Sequence, residues 1–203
     1  NLRIPMTRPW IGGKIDLVYF DRNDELVIGE VKGCGRLPTK PKYTHMQQLL
    51  TYLAYGGYKK GYLIYQSRSV ARGPDVMMRV FEADATDDNL FKVLKKICFT
   101  QASINGGHIP SIPAAFSVDG ECGYCFFKTG CWEGDEFVSS FEKTTAEDRK
   151  MIMAEADAWA KDLMSRKHER YLQSLRTLIH ETGSSSKEIS DRLINELEKY
   201  ERL

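Results

Sequence analysis

Charged side chains interrupt two adjacent apolar segments near the start of the chain. Asp16 lies inside the first segment, and Glu30 and Lys32 lie at the end of the second. Residues 21–24 between them (DRND) are typical of a turn, so the sequence predicts a β-hairpin. Side chains alternate between the two faces of a strand, so Glu30 and Lys32 share one face. Three charges on a partly buried hairpin are costly unless they bind something, and we expect a divalent cation and a phosphate.

These residue types suit the hydrolysis of a phosphodiester bond. That reaction needs a positioned water and stabilisation of the charge that develops on the phosphate oxygens. Carboxylates are preferred ligands of Mg²⁺ and Mn²⁺, so we expect Asp16, Glu30 and the carbonyl of Val31 to bind the metal. Lys32 would orient or deprotonate the water, or stabilise the developing charge. The sequence leaves open a simpler alternative, a solvated pair of Glu30 and Lys32 on an exposed sheet face.

Two polar side chains follow on a helix predicted over residues 43–55. Gln48 and Tyr52 are four residues apart and therefore share one helical face. An amide and a hydroxyl in this position suit hydrogen bonding to a phosphate or to a metal-bound water. The alternative is a surface amide beside a core tyrosine.

The hairpin and the helix together resemble the PD-(D/E)XK nuclease superfamily in its RecB-like branch. The resemblance is carried by Gly-x-Ile-Asp16, Glu30-Val-Lys32 and Gln48-x-x-x-Tyr52, in this order and on these elements. It implies an α/β fold with a restriction-endonuclease-like core, a mixed central sheet flanked by helices. It also implies that Asp16 and Glu30 bind the metal, that Lys32 is catalytic, and that Gln48 and Tyr52 complete the site. That branch usually has a further acidic or histidine residue upstream, which we expect before Asn1.

A cysteine cluster lies downstream, with the spacing C-x2-C-x5-C at Cys122, Cys125 and Cys131. No export signal is visible, so the spacing favours a metal centre over disulfides. Three thiolates imply a fourth ligand. Cys34 and His108 are both candidates, and His108 would favour zinc.

The cysteine spacing resembles that of iron–sulfur nucleases, namely the CRISPR-associated RecB-like exonucleases and the AddB-type helicase–nucleases. The resemblance covers about residues 10–135. It implies a [4Fe–4S] cluster whose fourth cysteine lies upstream of the nuclease motifs, and Zn²⁺ is the alternative occupant.

The length of 203 residues suits one domain, or one domain with an appendage. We expect a nuclease core over 1–120, a cysteine-cluster segment over 121–135 and a C-terminal helical hairpin over 140–203. The remaining predicted elements are strands at 61–66 and 76–82, a helix from Asp84 to about Ile104, one long helix from a capping box at Thr145 toward His180, stopped by Gly183, and a last helix from about Ser185 to Tyr200.

The net charge of +1 gives no overall basic field, so nucleic-acid binding would depend on local patches. Basic residues in the predicted loops suit a phosphate-binding rim: Arg36, Lys40, Lys42, Lys59, Lys60, Arg68 and Arg72. No apolar run reaches the length of a membrane span, and no signal peptide is visible, so we expect a cytoplasmic protein.

The sequence thus predicts a Mg²⁺- or Mn²⁺-dependent deoxyribonuclease. We expect an exonuclease that acts on single-stranded DNA or DNA ends in recombination, repair, phage DNA processing or CRISPR adaptation. A helicase, recombination or CRISPR-integrase protein would be its partner. The alternative is a non-catalytic DNA-binding or assembly module that keeps the nuclease fold and the cysteine cluster.

Overall fold

The computed structural model describes residues 13–67, 77–106, 145–182 and 186–202. Its strands form one mixed sheet in the order β1-β2-β3-β4. The elements, in chain order, are β1 (Leu17–Phe20), β2 (Leu26–Cys34), α1 (Tyr43–Gly56), β3 (Lys60–Ser67), β4 (Met78–Asp84), α2 (Asp87–Asn105), α3 (Ala146–Ser165), α4 (Lys167–Thr182) and α5 (Lys187–Glu201). The prediction of a mixed α/β fold is confirmed.

The predicted hairpin is present, with β1 antiparallel to β2 and Leu17 opposite Gly29. Its turn is closed by the carboxylate of Asp21, which accepts the N–H groups of Asn23 at 2.8 Å and Glu25 at 3.0 Å. Asp24 has φ 62°, a left-handed conformation that aspartate tolerates better than most residues. The polar residues between the two apolar segments therefore form the turn as predicted.

Helix α1 connects the parallel strands β2 and β3 and packs on one face of the sheet. A Cβ added to Gly61 would lie 2.9 Å from Leu49 on α1 and 3.1 Å from Ile28 on β2, so helix and sheet are in close contact there. The face of β2 that carries Ile28 also carries Glu30 and Lys32. The crossover therefore places α1 directly above the charged end of β2.

The other predicted strands and helices lie close to their expected positions, with one exception. The prediction of a single helix from Thr145 toward His180 was wrong. The capping box is present, since the Asp148 N–H donates to Thr145 Oγ1 and the Thr145 N–H donates to the Asp148 carboxylate, each at 3.1 Å. However, the helix is interrupted at Arg166, where the carbonyl of Leu163 accepts the guanidinium of Arg170.

The chain divides into two compact units, residues 1–94 with 160–203, and residues 95–159. In the first unit, α4 packs against α1 and α5 packs against α4. Tyr171 contacts Tyr58 edge-on at 5.8 Å and Tyr200 at 4.7 Å between ring centroids. In the second unit, an ion pair of 2.7 Å joins Lys95 to Asp157. None of the described helices is both long and apolar enough to span a bilayer.

Candidate functional site

The structure joins four of the predicted site residues in one chain of hydrogen bonds. The Lys32 ammonium donates to Glu30 Oε1 at 2.6 Å and to Gln48 Oε1 at 2.9 Å. The Gln48 amide then donates from Nε2 to the Tyr52 hydroxyl oxygen at 3.0 Å. Two alternate positions of β2, which share one face, and one turn of α1 thus converge at the end of β2.

This chain of bonds fixes the direction of each hydrogen. The ammonium of Lys32 has only donors, so Gln48 must present its carbonyl oxygen to it and its N–H to Tyr52. Tyr52 therefore accepts from Gln48 and keeps its own hydroxyl hydrogen for another acceptor. Lys32 likewise has three hydrogens and uses two in these bonds. Both side chains can therefore donate to a bound anion.

Asp16, the residue before β1, reaches the same region. Its Oδ2 accepts the backbone N–H of Val31 at 2.9 Å, which holds the carboxylate beside the Glu30–Lys32 segment. In an extended strand the N–H and C=O of one residue point to the same side, so the Val31 carbonyl is directed toward the Asp16 side of β2. Asp16, Glu30 and Val31 therefore present oxygen atoms around one region.

Glu30 is buried, with only 2% of its surface exposed, yet its carboxylate is only half satisfied. Oε1 accepts from Lys32, whereas the buried Oε2 has no hydrogen-bond partner among the described residues. Burial raises the pKa of Glu30, the Lys32 ammonium opposes this, and the Asp16 charge raises the pKa further. An unpartnered buried carboxylate oxygen is costly, and a cation would relieve that cost.

A divalent cation fits this donor set. Within the described residues, no three His, Cys, Asp or Glu side chains form a group that could hold a metal. Mg²⁺, however, is usually bound by only one or two protein carboxylates together with substrate phosphates and waters. Asp16 and Glu30 would supply those two carboxylates, and the carbonyl of Val31 would supply a third oxygen.

Gly13 is a part of this site whose role the sequence did not reveal. A Cβ added to Gly13 would lie 2.5 Å from Cε1 of Tyr52, closer than packed atoms allow. Tyr52 is buried and its ring therefore lies against the bare Cα of residue 13. The glycine that begins the Gly-x-Ile-Asp16 pattern is the sequence signal for this contact.

The sequence reasoning also missed a pair of residues next to Lys32. Tyr65 is opposite Lys32 in the β2–β3 register, and its ring is 1% exposed. Its hydroxyl accepts the backbone N–H of Lys42 at 3.0 Å and lies 2.9 Å from Nδ1 of His45. His45 is on α1, three residues before Gln48, so it faces the same side.

The structure describes only two of the five cysteines, Cys34 and Cys98. Cys122, Cys125, Cys131 and the possible ligand His108 lie outside the described residues, as do Arg68 and Arg72 of the basic rim. Cys34 is partly exposed, and its thiol donates to the carbonyl of Gln66 at 3.6 Å. Cys98 is fully buried on α2, and burial raises its thiol pKa to about 11, which suits a core position.

Comparison of the chain with protein-family models, curated proteins and solved structures finds no match. We therefore infer the function from the residues and geometry of this chain. The proposed function has to account for two carboxylates, a lysine, an amide and a hydroxyl that meet at the end of β2, an interior strand of the sheet.

Proposed function

We propose that the chain is a metal-dependent deoxyribonuclease with a restriction-endonuclease-like core. Its catalytic centre would be formed by Asp16, Glu30, Lys32, Gln48 and Tyr52, with Mg²⁺ or Mn²⁺ as the cofactor. The observation that supports this most is the unpartnered Oε2 of Glu30, buried beside Asp16. A purely structural Glu30–Lys32 pair has no use for that second oxygen, whereas a cation does.

The bound cation would neutralise phosphate charge and lower the pKa of a water ligand. Asp16, Glu30 and the Val31 carbonyl would hold it. Lys32 uses two of its three hydrogens within the site, so its third is available to the attacking water or to a phosphate oxygen. Tyr52, which accepts from Gln48, would donate its hydroxyl hydrogen to the phosphate group.

A nucleic acid is the substrate class that the surrounding charges favour. Arg36, Lys40 and Lys42 are exposed in the loop that follows β2, directly after the site. Exposed cations beside a phosphodiester-cleaving centre suit a nucleic-acid backbone. We propose single-stranded DNA or DNA ends as the substrate, a cytoplasmic location, and a helicase, recombination or CRISPR-integrase partner in recombination, repair, phage DNA processing or CRISPR adaptation.

We also propose that Cys122, Cys125 and Cys131 bind a [4Fe–4S] cluster, with Zn²⁺ as the alternative. The support is the C-x2-C-x5-C spacing together with the carboxylate–lysine site in the same chain.

The test is cleavage of labelled single-stranded and double-stranded DNA with Mg²⁺ or Mn²⁺. Asp16→Ala and Lys32→Ala are expected to abolish cleavage while the protein stays folded by circular dichroism. Lys92→Ala is the matched control, because Lys92 is an exposed lysine paired only with Asp88 on its own helix, where such pairs contribute little. The control is expected to cleave at the wild-type rate.

Full activity in both site variants would refute the assignment of these residues. DNA binding without cleavage by the wild-type protein, under any metal condition, would favour the non-catalytic module instead. Retention of the fold separates either result from simple unfolding.

A further inference from the structure

His45 is a further polar side chain on the helix that carries Gln48 and Tyr52. Its Nδ1 lies 2.9 Å from the Tyr65 hydroxyl. The rings are tilted by 36° with centroids 5.6 Å apart, so the contact is made edge to edge through the polar atoms. None of the catalytic roles above uses this side chain.

The hydrogen bonds of Tyr65 determine which nitrogen of His45 carries the proton. The Tyr65 hydroxyl has one hydrogen, and it already accepts the backbone N–H of Lys42 at 3.0 Å. Tyr65 is buried, and Nδ1 of His45 is its available acceptor among the described residues. The hydroxyl therefore donates to Nδ1, which places the proton of a neutral His45 on Nε2.

His45 is also held neutral at ordinary pH. Burial lowers the pKa of the imidazole, and the nearby charges of Lys32 and Lys42 lower it further. His45 lies three residues before Gln48, which accepts from the Lys32 ammonium, so the imidazole and the site lysine lie on the same side of α1. The imidazole is half-buried, and its Nε2–H edge points away from Tyr65, which is bonded at Nδ1.

We propose that His45 is a substrate-binding residue that donates from Nε2–H to a DNA phosphate next to the one that is cleaved. This inference rests on the proposed function, since it assigns the phosphate to the substrate of the Lys32 site. Tyr65 is the positioning residue that holds the imidazole in the donating tautomer. Lys42 then supplies an ionic contact to the same stretch of backbone from the start of α1.

The proposed contacts of Lys42 and His45 with DNA phosphates differ in how the binding affinity depends on salt concentration. A lysine that neutralises a phosphate releases a counterion, so its loss reduces the salt dependence of binding by about 0.7 in log–log slope for single strands. A neutral histidine releases none. Its loss weakens binding by a similar factor at every salt concentration.

The experiment measures binding by the fluorescence anisotropy of labelled oligo(dT). EDTA is present to remove divalent metal, so the DNA is not cleaved during the measurement. His45→Ala is expected to weaken binding by about tenfold or more with an unchanged salt slope, since a hydrogen bond to a charged group is lost. Lys42→Ala is expected to reduce the slope. His45→Gln, whose amide N–H takes the place of Nε2–H, should restore most of the affinity, whereas His45→Asn should not.

Tyr65→Phe provides a second check that leaves His45 in place. It keeps the ring, which contacts Phe81 edge-on, but removes the hydroxyl that fixes the tautomer. We expect partly weakened binding, again without a change in slope.

Three outcomes would overturn the inference: wild-type affinity in His45→Ala, equal affinities in His45→Gln and His45→Asn, or no DNA binding by the wild-type protein. Because binding is measured without cleavage, the result is independent of the proposed catalysis. Binding that depends on His45 in a protein that never cleaves DNA would overturn the nuclease proposal alone. Cleavage with unaltered His45→Ala binding would overturn this inference alone.

Discussion

Replacing Gly13 by alanine tests whether the site depends on close contact between α1 and the segment that precedes β1. The added Cβ would lie 2.5 Å from Cε1 of Tyr52, whereas carbon atoms pack at about 3.5–4.0 Å. The ring must therefore move by about 1 Å, and such overpacking costs about 1–3 kcal/mol of unfolding free energy. The Tyr52–Gln48 hydrogen bond of 3.0 Å would lengthen beyond the range of a hydrogen bond.

The displacement should reach Lys32, the lysine to which we assign a catalytic role. Gln48 then loses the partner that orients its amide, and its carbonyl is no longer fixed on the Lys32 ammonium. A misplacement of about 1 Å at a catalytic group can lower a rate by about 100-fold. We therefore expect Gly13→Ala to lower both the unfolding free energy in urea and the rate of DNA cleavage.

Gly35→Ala is the matched control, because among the described residues no atom beyond its chain neighbours lies within 4 Å of its added Cβ. It should change the unfolding free energy by no more than about 0.5 kcal/mol. In a Tyr52→Leu background, which lacks Cε1, Gly13→Ala should have little further cost. Equal costs for Gly13→Ala and Gly35→Ala, or an undiminished cost in the Tyr52→Leu background, would refute the reasoning.

Further predictions concern the buried charges and the cysteine cluster. Burial raises the pKa of Glu30, so ionisation of this side chain opposes folding. Glu30→Gln, which cannot ionise, should therefore gain unfolding free energy relative to wild type as the pH rises from about 3 to about 7. Urea unfolding without metal measures this difference. A constant difference would contradict this sign. Arg170 donates to the carbonyls of Leu163 and Ala54, so Arg170→Ala should cost about 2 kcal/mol or more, against less than about 1 kcal/mol for the exposed Arg176→Ala. Protein purified without oxygen should absorb visible light and lose this absorption in Cys125→Ser, whereas a colourless protein with stoichiometric zinc would refute the iron–sulfur proposal.

The local part of the fold could be predicted from the sequence. Alternating side chains and the turn residues 21–24 define the hairpin, and Gly57, with φ 72°, ends α1 close to where a helix stop was expected. The break at Arg166 could not be predicted, because no glycine or proline marks it. It coincides with a bond between Arg170 and the Leu163 carbonyl, and the same side chain reaches Ala54 on α1. That contact depends on tertiary packing.

The candidate site shows the same division. The residue types of the site and their spacing on the helix could be predicted from the sequence, but the hydrogen bonds between them could not. The bond from Gln48 to Lys32 depends on how the α1 crossover lies on the sheet. The bond from Asp16 to the Val31 N–H depends on β1 beginning only at Leu17, so that a side chain takes the place of a backbone partner.

The most direct test of the central claim is calorimetric titration of metal-free protein with Mn²⁺. Mn²⁺ prefers carboxylate over thiolate ligands, so the titration reports the Asp16–Glu30 site more than the cysteines. We predict that the wild-type protein binds Mn²⁺ and that Asp88→Asn, which replaces an exposed aspartate on α2, keeps the same affinity. Asp16→Asn and Glu30→Gln should each weaken the Mn²⁺ affinity at least about tenfold. Wild-type Mn²⁺ affinity in Asp16→Asn and Glu30→Gln would contradict the claim that these carboxylates hold the metal.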